Sequence, residues 1–167
     1  PIYTVLANKG IRVEPLFVTR IEDSYGNTIA NFTPQMREGL TEDASYKMLH
    51  MLKSVIDGGT GGRVRFRYGI KAEMGGKTGT TQNNSDGWFM GFTPSLVSGC
   101  WVGGEDRSIH FDRLAEGQGA SMALPIYALY MQKVYKDKTL GYSEDETFEI
   151  PEKYANPCSE GGEEDSP

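Results

Sequence analysis

The chain is poor in the residue types that most often carry metal or redox chemistry, with two histidines and two cysteines among 167 residues. Cys100 and Cys158 lie far apart and form no C-x-x-C pair, so neither a zinc site nor a dithiol centre is expected, and the redox compartment stays undecided. Long apolar runs are missing too. The longest, from Leu124 to Met131, falls well short of the roughly 18 residues that a membrane-spanning helix needs. Net positive charge is absent: the formal charge is -6, and without clustered Lys and Arg to displace counterions a nucleic-acid partner is not expected. No leader-peptide pattern opens the chain, which starts Pro1-Ile2-Tyr3 without an initiator Met, as a piece of a longer protein would.

What is present suits a packed core. Hydrophobic residues make up 38% and charged residues 24%, and the length fits one domain of ordinary size or a large part of one. Tyr3, Leu6 and Ala7 have helical spacing, and Asn8-Lys9-Gly10 reads as a helix end with Gly10 as the left-handed cap. Residues Glu14 to Glu22, the turn cluster Asp23-Ser24-Tyr25-Gly26-Asn27 and the run Thr28 to Phe32 predict a hairpin. Thr41, followed by Glu42 and Asp43, is a helix start. Ala44, Met48, Leu49, Leu52, Val55 and Ile56 then form one face, ending at Gly58-Gly59. Met48, Met51 and His50 are taken as core packing and one surface His. Gly58 to Gly62 reads as a flexible connection, and Arg63-Val64-Arg65-Phe66-Arg67-Tyr68, alternating charge with apolar bulk, as an extended segment. Its arginines are assigned to a solvated strand face or to the charged rim of a substrate groove. Three closely joined strands follow, at roughly Glu73 to Gln82, Gly87 to Thr93 and Leu96 to Gly103, and such short joins permit only antiparallel neighbours. A last helix is expected from Ser121, with Pro125 in its first turn and Ala123, Tyr127, Tyr130, Met131 and Val134 as its apolar face.

The stretch Gly75-Gly76-Lys77-Thr78-Gly79-Thr80-Thr81 calls for a functional explanation, because a strand interior rarely combines glycines, a lysine and threonines. Alternation sends the Thr78 and Thr80 hydroxyls to one face, and Gly79 removes a side chain where a ligand or another backbone would come close. Two hydroxyls beside an ammonium form a receptor for a carboxylate, although Lys77 starts on the opposite face and must bring its stem round the strand. A phosphate-binding loop would need Gly where Lys71 stands and a helix directly after its Thr, and has neither. A metal site built from Glu105, Asp106, His110 and Asp112 lacks any His pair at helical spacing, and these residues are read as surface charge. No metal or cofactor is expected.

KTGTT, followed by DGWFMGFTP (Asp86 to Pro94), LVSGCWVGGED (Leu96 to Asp106) and a helix opening around ALPIY, resembles the end of the transpeptidase domain of class A, bifunctional penicillin-binding proteins. LANKG, the hairpin at RIEDSYGN and the helix running into DGGTGG are similar to the stretch preceding the KTG strand there, so the resemblance runs in order from Ile2 to Lys136. It implies an α+β fold, an antiparallel sheet covered by helices, as the C-terminal part of the serine β-lactamase and penicillin-binding transpeptidase fold. Residues 1–140 are then the transpeptidase part, and the acidic residues 141–167 read as a disordered tail.

The same resemblance implies catalysis through S-x-x-K, S-x-N and K-T-G motifs. The first two are absent: no Ser here has Lys three residues on, and none begins S-x-N, so the chain alone is expected to be inactive. Lys77 is the implied catalytic residue. Thr78, Gly79 and Thr80 would bind the terminal carboxylate of stem peptides ending in D-Ala-D-Ala, with the Thr80 N–H in the oxyanion hole, and β-lactams would occupy the same groove. Asp86, Trp88 and Phe89 are assigned to structure. An upstream glycosyltransferase domain, an upstream anchor and a place on the periplasmic side of the inner membrane are implied for the parent. The resembled sheet has further strands beyond the one at Leu96 to Gly103, so self-association of an incomplete fold is expected. Two other readings are a non-catalytic binding or structural module, and a serine β-lactamase or D,D-carboxypeptidase; the DGWFMGFTP and LVSGCWVGG match favours the bifunctional transpeptidases.

Overall fold

The computed structural model describes residues 2–155; Cys158 and the acidic end lie outside the described residues. The chain opens with helix α1 (Ile2–Ala7), which ends at Lys9 and Gly10, with φ of 52° and 91°. Gly10 is required there: a Cβ would lie 2.2 Å from Leu40 O, and the Gly10 carbonyl accepts from Gly39 N and Leu40 N at 2.8 and 3.0 Å. These bonds close an antiparallel pair of β1 (Ile11–Val13) with β4 (Met36–Glu38). Inside it sits the hairpin of β2 (Arg20–Glu22) and β3 (Thr28–Asn31), whose turn is held by the Asp23 carboxylate accepting from Tyr25 N and Asn27 N. The hairpin strand is shorter than the expected Glu14 to Glu22 because Glu14 N bonds to Gln35 O and so extends the outer pair, while Phe17 is 93% exposed.

Helix α2 (Glu42–Asp57) begins as its sequence predicts, with Thr41 Oγ1 accepting from Ala44 N at 3.3 Å. Its buried face is Ser45, Leu49, Leu52 and Ile56, while Met48 and Met51 turn outward, one step round from the expected stripe. The next stretch overturns an expectation. Arg63 to Tyr68 is not extended: Arg63–Phe66 forms the short helix α3. A strand would put Val64 and Phe66 on one face, yet Val64 is fully buried and Phe66 is 80% exposed. The glycine connection does not flop; Gly61 N bonds to Val55 O and Gly62 N to Gly59 O, so successive turns lead straight into α3. Arg65 is structural, pairing with Asp57 and donating to the carbonyls of Ile70 and Ala72 at 3.0 and 2.6 Å.

A three-stranded antiparallel sheet follows, β5 (Gly75–Thr80), β6 (Asp86–Phe92) and β7 (Val97–Gly103), in that spatial order. The short helix α4 (Leu114–Gly117) leads into α5 (Gly119–Lys136), which starts two residues earlier than predicted and so carries Pro125 beyond its first turn. Ala123, Leu124, Tyr127, Ala128, Met131 and Val134 are buried, whereas Tyr130 is not. Phe89 packs against Tyr127, the rings tilted with centroids 4.8 Å apart, within a core that includes Ile56, Val64, Ile70 and Met74. Phe92, three residues on and therefore on the other face, belongs to a second cluster with Leu6, Leu49 and Leu52. Helix α2 contributes to both clusters by running past the start of β5. The α+β class, with helices over an antiparallel sheet, is as the sequence predicts.

The stretch after Gly141 differs from expectation as far as residue 155. It folds back as a strap ending in α6 (Glu152–Ala155). Phe148 is 9% exposed and meets Phe92 edge-on at 5.9 Å; its N–H donates to Glu73 Oε2 at 2.7 Å. Glu73 also pairs with Lys53 of α2, Glu149 with Lys9, and Tyr154 stacks on Tyr46 with its hydroxyl on Asp43. Phe148 is the strap's buried apolar anchor, and the contacts through Glu73, Glu149 and Tyr154 fasten the residues around it. Replacing Phe148 with Ala should lower stability in urea denaturation by about 3 kcal/mol, the cost of emptying a buried aromatic site. An unchanged midpoint would show that the strap contributes nothing.

Candidate functional site

Among the described residues β5 lies at the edge of the sheet, and its burial ends midway. Gly75 and Gly76 are buried because a Cβ on either would strike the Phe92 ring or Ile56 Cδ1, at 2.5 and 2.8 Å. From Lys77 onward the strand emerges, with Lys77 and Thr80 exposed and Thr78 and Gly79 half-buried. Gly79 differs from the other two: a Cβ there would meet only Trp88, at 3.1 Å, and space remains beyond it.

The register fixes where each side chain starts. Thr78 lies opposite Phe89 and Thr80 opposite Gly87, so both threonines share the α5 face of the sheet, while Lys77 lies opposite Met90 on the other. The Lys77 ammonium curls back and donates to Thr78 O at 2.8 Å, which brings it to the strand backbone but not to the hydroxyls. Thr80 Oγ1 accepts from Gly119 N, the first residue of α5, at 3.2 Å. Thr78 Oγ1 lies 2.9 Å from Thr60 Oγ1. Thr60 escaped the sequence reading, which took its glycine-rich surroundings for a plain connection; a lone hydroxyl among four glycines was the available signal.

Beside Thr60 opens a cleft of about 260 Å³ lined by Gly59, Thr60, Arg63, Phe66, Gln118 and Ala120. One wall is the α2–α3 link, the other the start of α5. Of the three arginines, Arg63 alone lines this cleft, whereas Arg65 is taken up by Asp57 and the backbone carbonyls of Ile70 and Ala72. Arg67 is exposed, its guanidinium 5.9 Å from the Tyr68 ring.

The turn after β5 is built from side chains. Thr81 Oγ1 donates to Asp86 Oδ2 at 3.0 Å, and Trp101 Nε1 donates to Asp86 Oδ1 at 3.2 Å, so one carboxylate ties the β5–β6 turn to β7. Asp86 and Phe89 are thus structural as expected, but Trp88 is not core: it is 45% exposed, beside Trp101 at 47%. Glu105, Asp106, His110 and Asp112 do not gather; Asp106 caps Ser108 N, His110 faces Phe111 O, and no group of three His, Cys, Asp or Glu side chains converges among the described residues. Burial pushes the Cys100 thiol up, away from the thiolate form a nucleophile needs. The hydroxyls of Ser45, Ser54 and Ser121 donate to backbone carbonyls. Among the described residues no helix is long and apolar enough to cross a membrane.

Comparison with known proteins gives a consistent result. Residues 1–99 match the family model described as the penicillin binding protein transpeptidase domain. Penicillin-binding protein 1A of Aquifex aeolicus is 35% identical over 149 residues, covering 89% of this chain and 19% of the relative. Penicillin-binding protein 1A of Rickettsia conorii is 34% identical over 81% of this chain and again 19% of the relative. The chain therefore spans about a fifth of the length of these curated relatives. Among solved structures, penicillin-binding protein 1A from Haemophilus influenzae superposes with a TM-score of 0.74 at 23% identity, covering 90% of this chain and 27% of that one. Penicillin-binding protein A from M. tuberculosis, solved as an imipenem acyl-enzyme complex, gives 0.61 at 20% identity over 78% and 29%. Both support the fold.

The site's geometry rests on the contact between α5 and β5, which Gly119 permits. A Cβ on Gly119 would sit 2.3 Å from Trp88 O and 2.4 Å from Gly79 O, both backbone atoms that cannot rotate away. Gly119→Ala should therefore cost about 1–3 kcal/mol in urea denaturation. It should also shift the amide resonances of Gly79 and Thr80, and unmoved resonances would count against the contact.

Proposed function

Because the chain belongs to the penicillin binding protein transpeptidase domain family, we propose that the longer protein carrying it is a serine D,D-transpeptidase that cross-links peptidoglycan, and that Lys77 to Thr80 are its substrate strand. The observation that carries this is the wiring of the two hydroxyls. Thr80 Oγ1 already accepts from Gly119 N, and Thr78 Oγ1 is paired to Thr60, so Thr80 has its own proton to give and Thr78 keeps it when Thr60 donates. Two donors on one face of an edge strand, with the Lys77 ammonium held close by at the Thr78 carbonyl, suit the terminal carboxylate of a peptide ending in D-Ala-D-Ala. Gly79 leaves room for the substrate backbone.

On this reading a serine supplied from upstream attacks the penultimate D-Ala carbonyl, with the Thr80 N–H donating to the developing oxyanion. The C–N bond to terminal D-Ala breaks, that D-Ala leaves carrying a proton, and an acyl-serine ester remains. An amine of a second stem peptide then displaces the serine oxygen. β-Lactams enter through the same ester chemistry. The acyl-enzyme form of the M. tuberculosis relative accords with this. An upstream glycosyltransferase domain, an upstream membrane anchor and a periplasmic location belong to the same proposal.

Lys77→Ala in the full-length protein should reduce acylation by a fluorescent penicillin tenfold or more, if the charge-assisted contact contributes about 1.5–3 kcal/mol. The 167-residue chain, with no S-x-x-K serine, should show no penicilloyl adduct by mass spectrometry. An adduct on it, or an unaffected folded Lys77 variant, would sink the assignment; covalent labelling of the full-length protein excludes a binding-only module.

β7 ends the sheet among the described residues, and Trp101 leaves apolar surface on it. The proposal therefore includes self-association of the 167-residue chain through that edge. Light scattering should give more than the monomer mass, and a monomer at high concentration with rapid amide exchange along β7 would contradict it.

A further inference from the structure

We propose that Arg63 is a second cation of the carboxylate site, acting from the cleft wall beneath Thr78. The inference rests on the transpeptidase reading but concerns a residue outside the KTG strand, which itself supplies Lys77. Three observations lead to it. Arg63 is held in place: Nη1 donates to Ala120 O and to Ser121 Oγ, both at 3.1 Å, and the Ser121 proton is committed to Ala115 O at 2.7 Å. The guanidinium is thus pre-oriented and half-buried, with Nη1 bonded and the residue lining the cleft. It has no carboxylate within ion-pair distance among the described residues, whereas Arg65, two positions on, is neutralised by Asp57.

The cleft it lines also contains Thr60, and Thr60 is one hydrogen bond from Thr78. Its opposite wall is Gln118 and Ala120, flanking the Gly119 N–H that positions Thr80. An anion accepted by Thr78 and Thr80 therefore sits next to a space whose one charged group is a fixed cation. A half-buried guanidinium without a counter-ion is costly to keep for packing alone. A carboxylate arriving at the hydroxyl pair supplies the missing charge. Lys77 approaches along the exposed face of the strand and Arg63 from the helical side, so the two cations bracket the carboxylate.

The test uses the full-length protein and two probes, a fluorescent penicillin as the free acid and the same molecule as its methyl ester. Arg63→Gln should lower the second-order acylation constant for the acid by about tenfold and leave that for the ester unchanged, with Arg63→Lys recovering part of the loss. Gln118→Glu, which places a carboxylate in the opposite wall, should impair the acid selectively without altering Arg63. Raised salt should narrow the gap between the unmodified protein and Arg63→Gln for the acid only. Equal losses with acid and ester would reduce Arg63 to a packing residue, and no loss with the acid in either variant would overturn the proposal. Failure of the unmodified protein to be acylated by the acid would remove the transpeptidase reading itself, a separate outcome.

Discussion

Helix α5 begins against bare backbone. Its first residue lies so close to the β5–β6 ladder that a single added carbon would overlap two carbonyl oxygens. That approach lets a main-chain N–H reach Thr80 Oγ1, and it sets the height at which Tyr127 meets Phe89 and Met131 enters the same core. A helix starting one side-chain layer further out would still cover the sheet, but Thr80 would lose its donor and the cleft beside Thr60 would lose a wall. Packing and site geometry are here one constraint, because interiors at crystal-like density transmit a displacement instead of absorbing it.

The sheet itself is held from both sides by residues three apart on one strand. Phe89 faces α5 and Phe92 faces α1, α2 and the strap, so β6 is clamped and its neighbours inherit the fixed register. β5 is buried where α2 passes over Gly75 and Gly76, emerges at Lys77, and meets α5 through Gly119 beside Gly79 and Thr80. Burial therefore stops where polar side chains begin. An edge strand buried at one end and held by the α5 start at the other is a sound base for recognition, since its donors are in place before a ligand arrives and little ordering cost remains.

How much of this was legible follows from the range of each contact. KTGTT stood out because its composition contradicts an ordinary strand interior, and the three strands around it followed from short turns; both are local properties. Helix α2 announced itself through Thr41 and its acidic first turn. Arg63 to Tyr68 misled because six residues alternating in polarity fit a strand, while the helix there is enforced by turns starting at Val55 and Gly59. The strap was invisible for a related reason: its acidic composition argues for solvent, and its order depends on Phe148 finding a site built by residues far back in the chain. Thr60 and Arg63 belong to the same class, since their partners lie 18 and 57 residues away in sequence.

The arginine-rich stretch shows how helix and strand readings of the same residues differ in consequence. As a strand, Arg63, Arg65 and Arg67 would form one charged face and do one job. As a single helical turn they separate. Arg65 turns inward, closing the α3–β5 connection through Asp57 and the carbonyls of Ile70 and Ala72. Arg67 is left to solvent and the Tyr68 ring. Arg63 is carried towards α5, where backbone and hydroxyl partners immobilise it without neutralising it. The difference between a compensated and an uncompensated cation thus comes from a change of backbone period, not of residue type. Here the same change places the uncompensated one in the wall of the cleft that begins at Thr60.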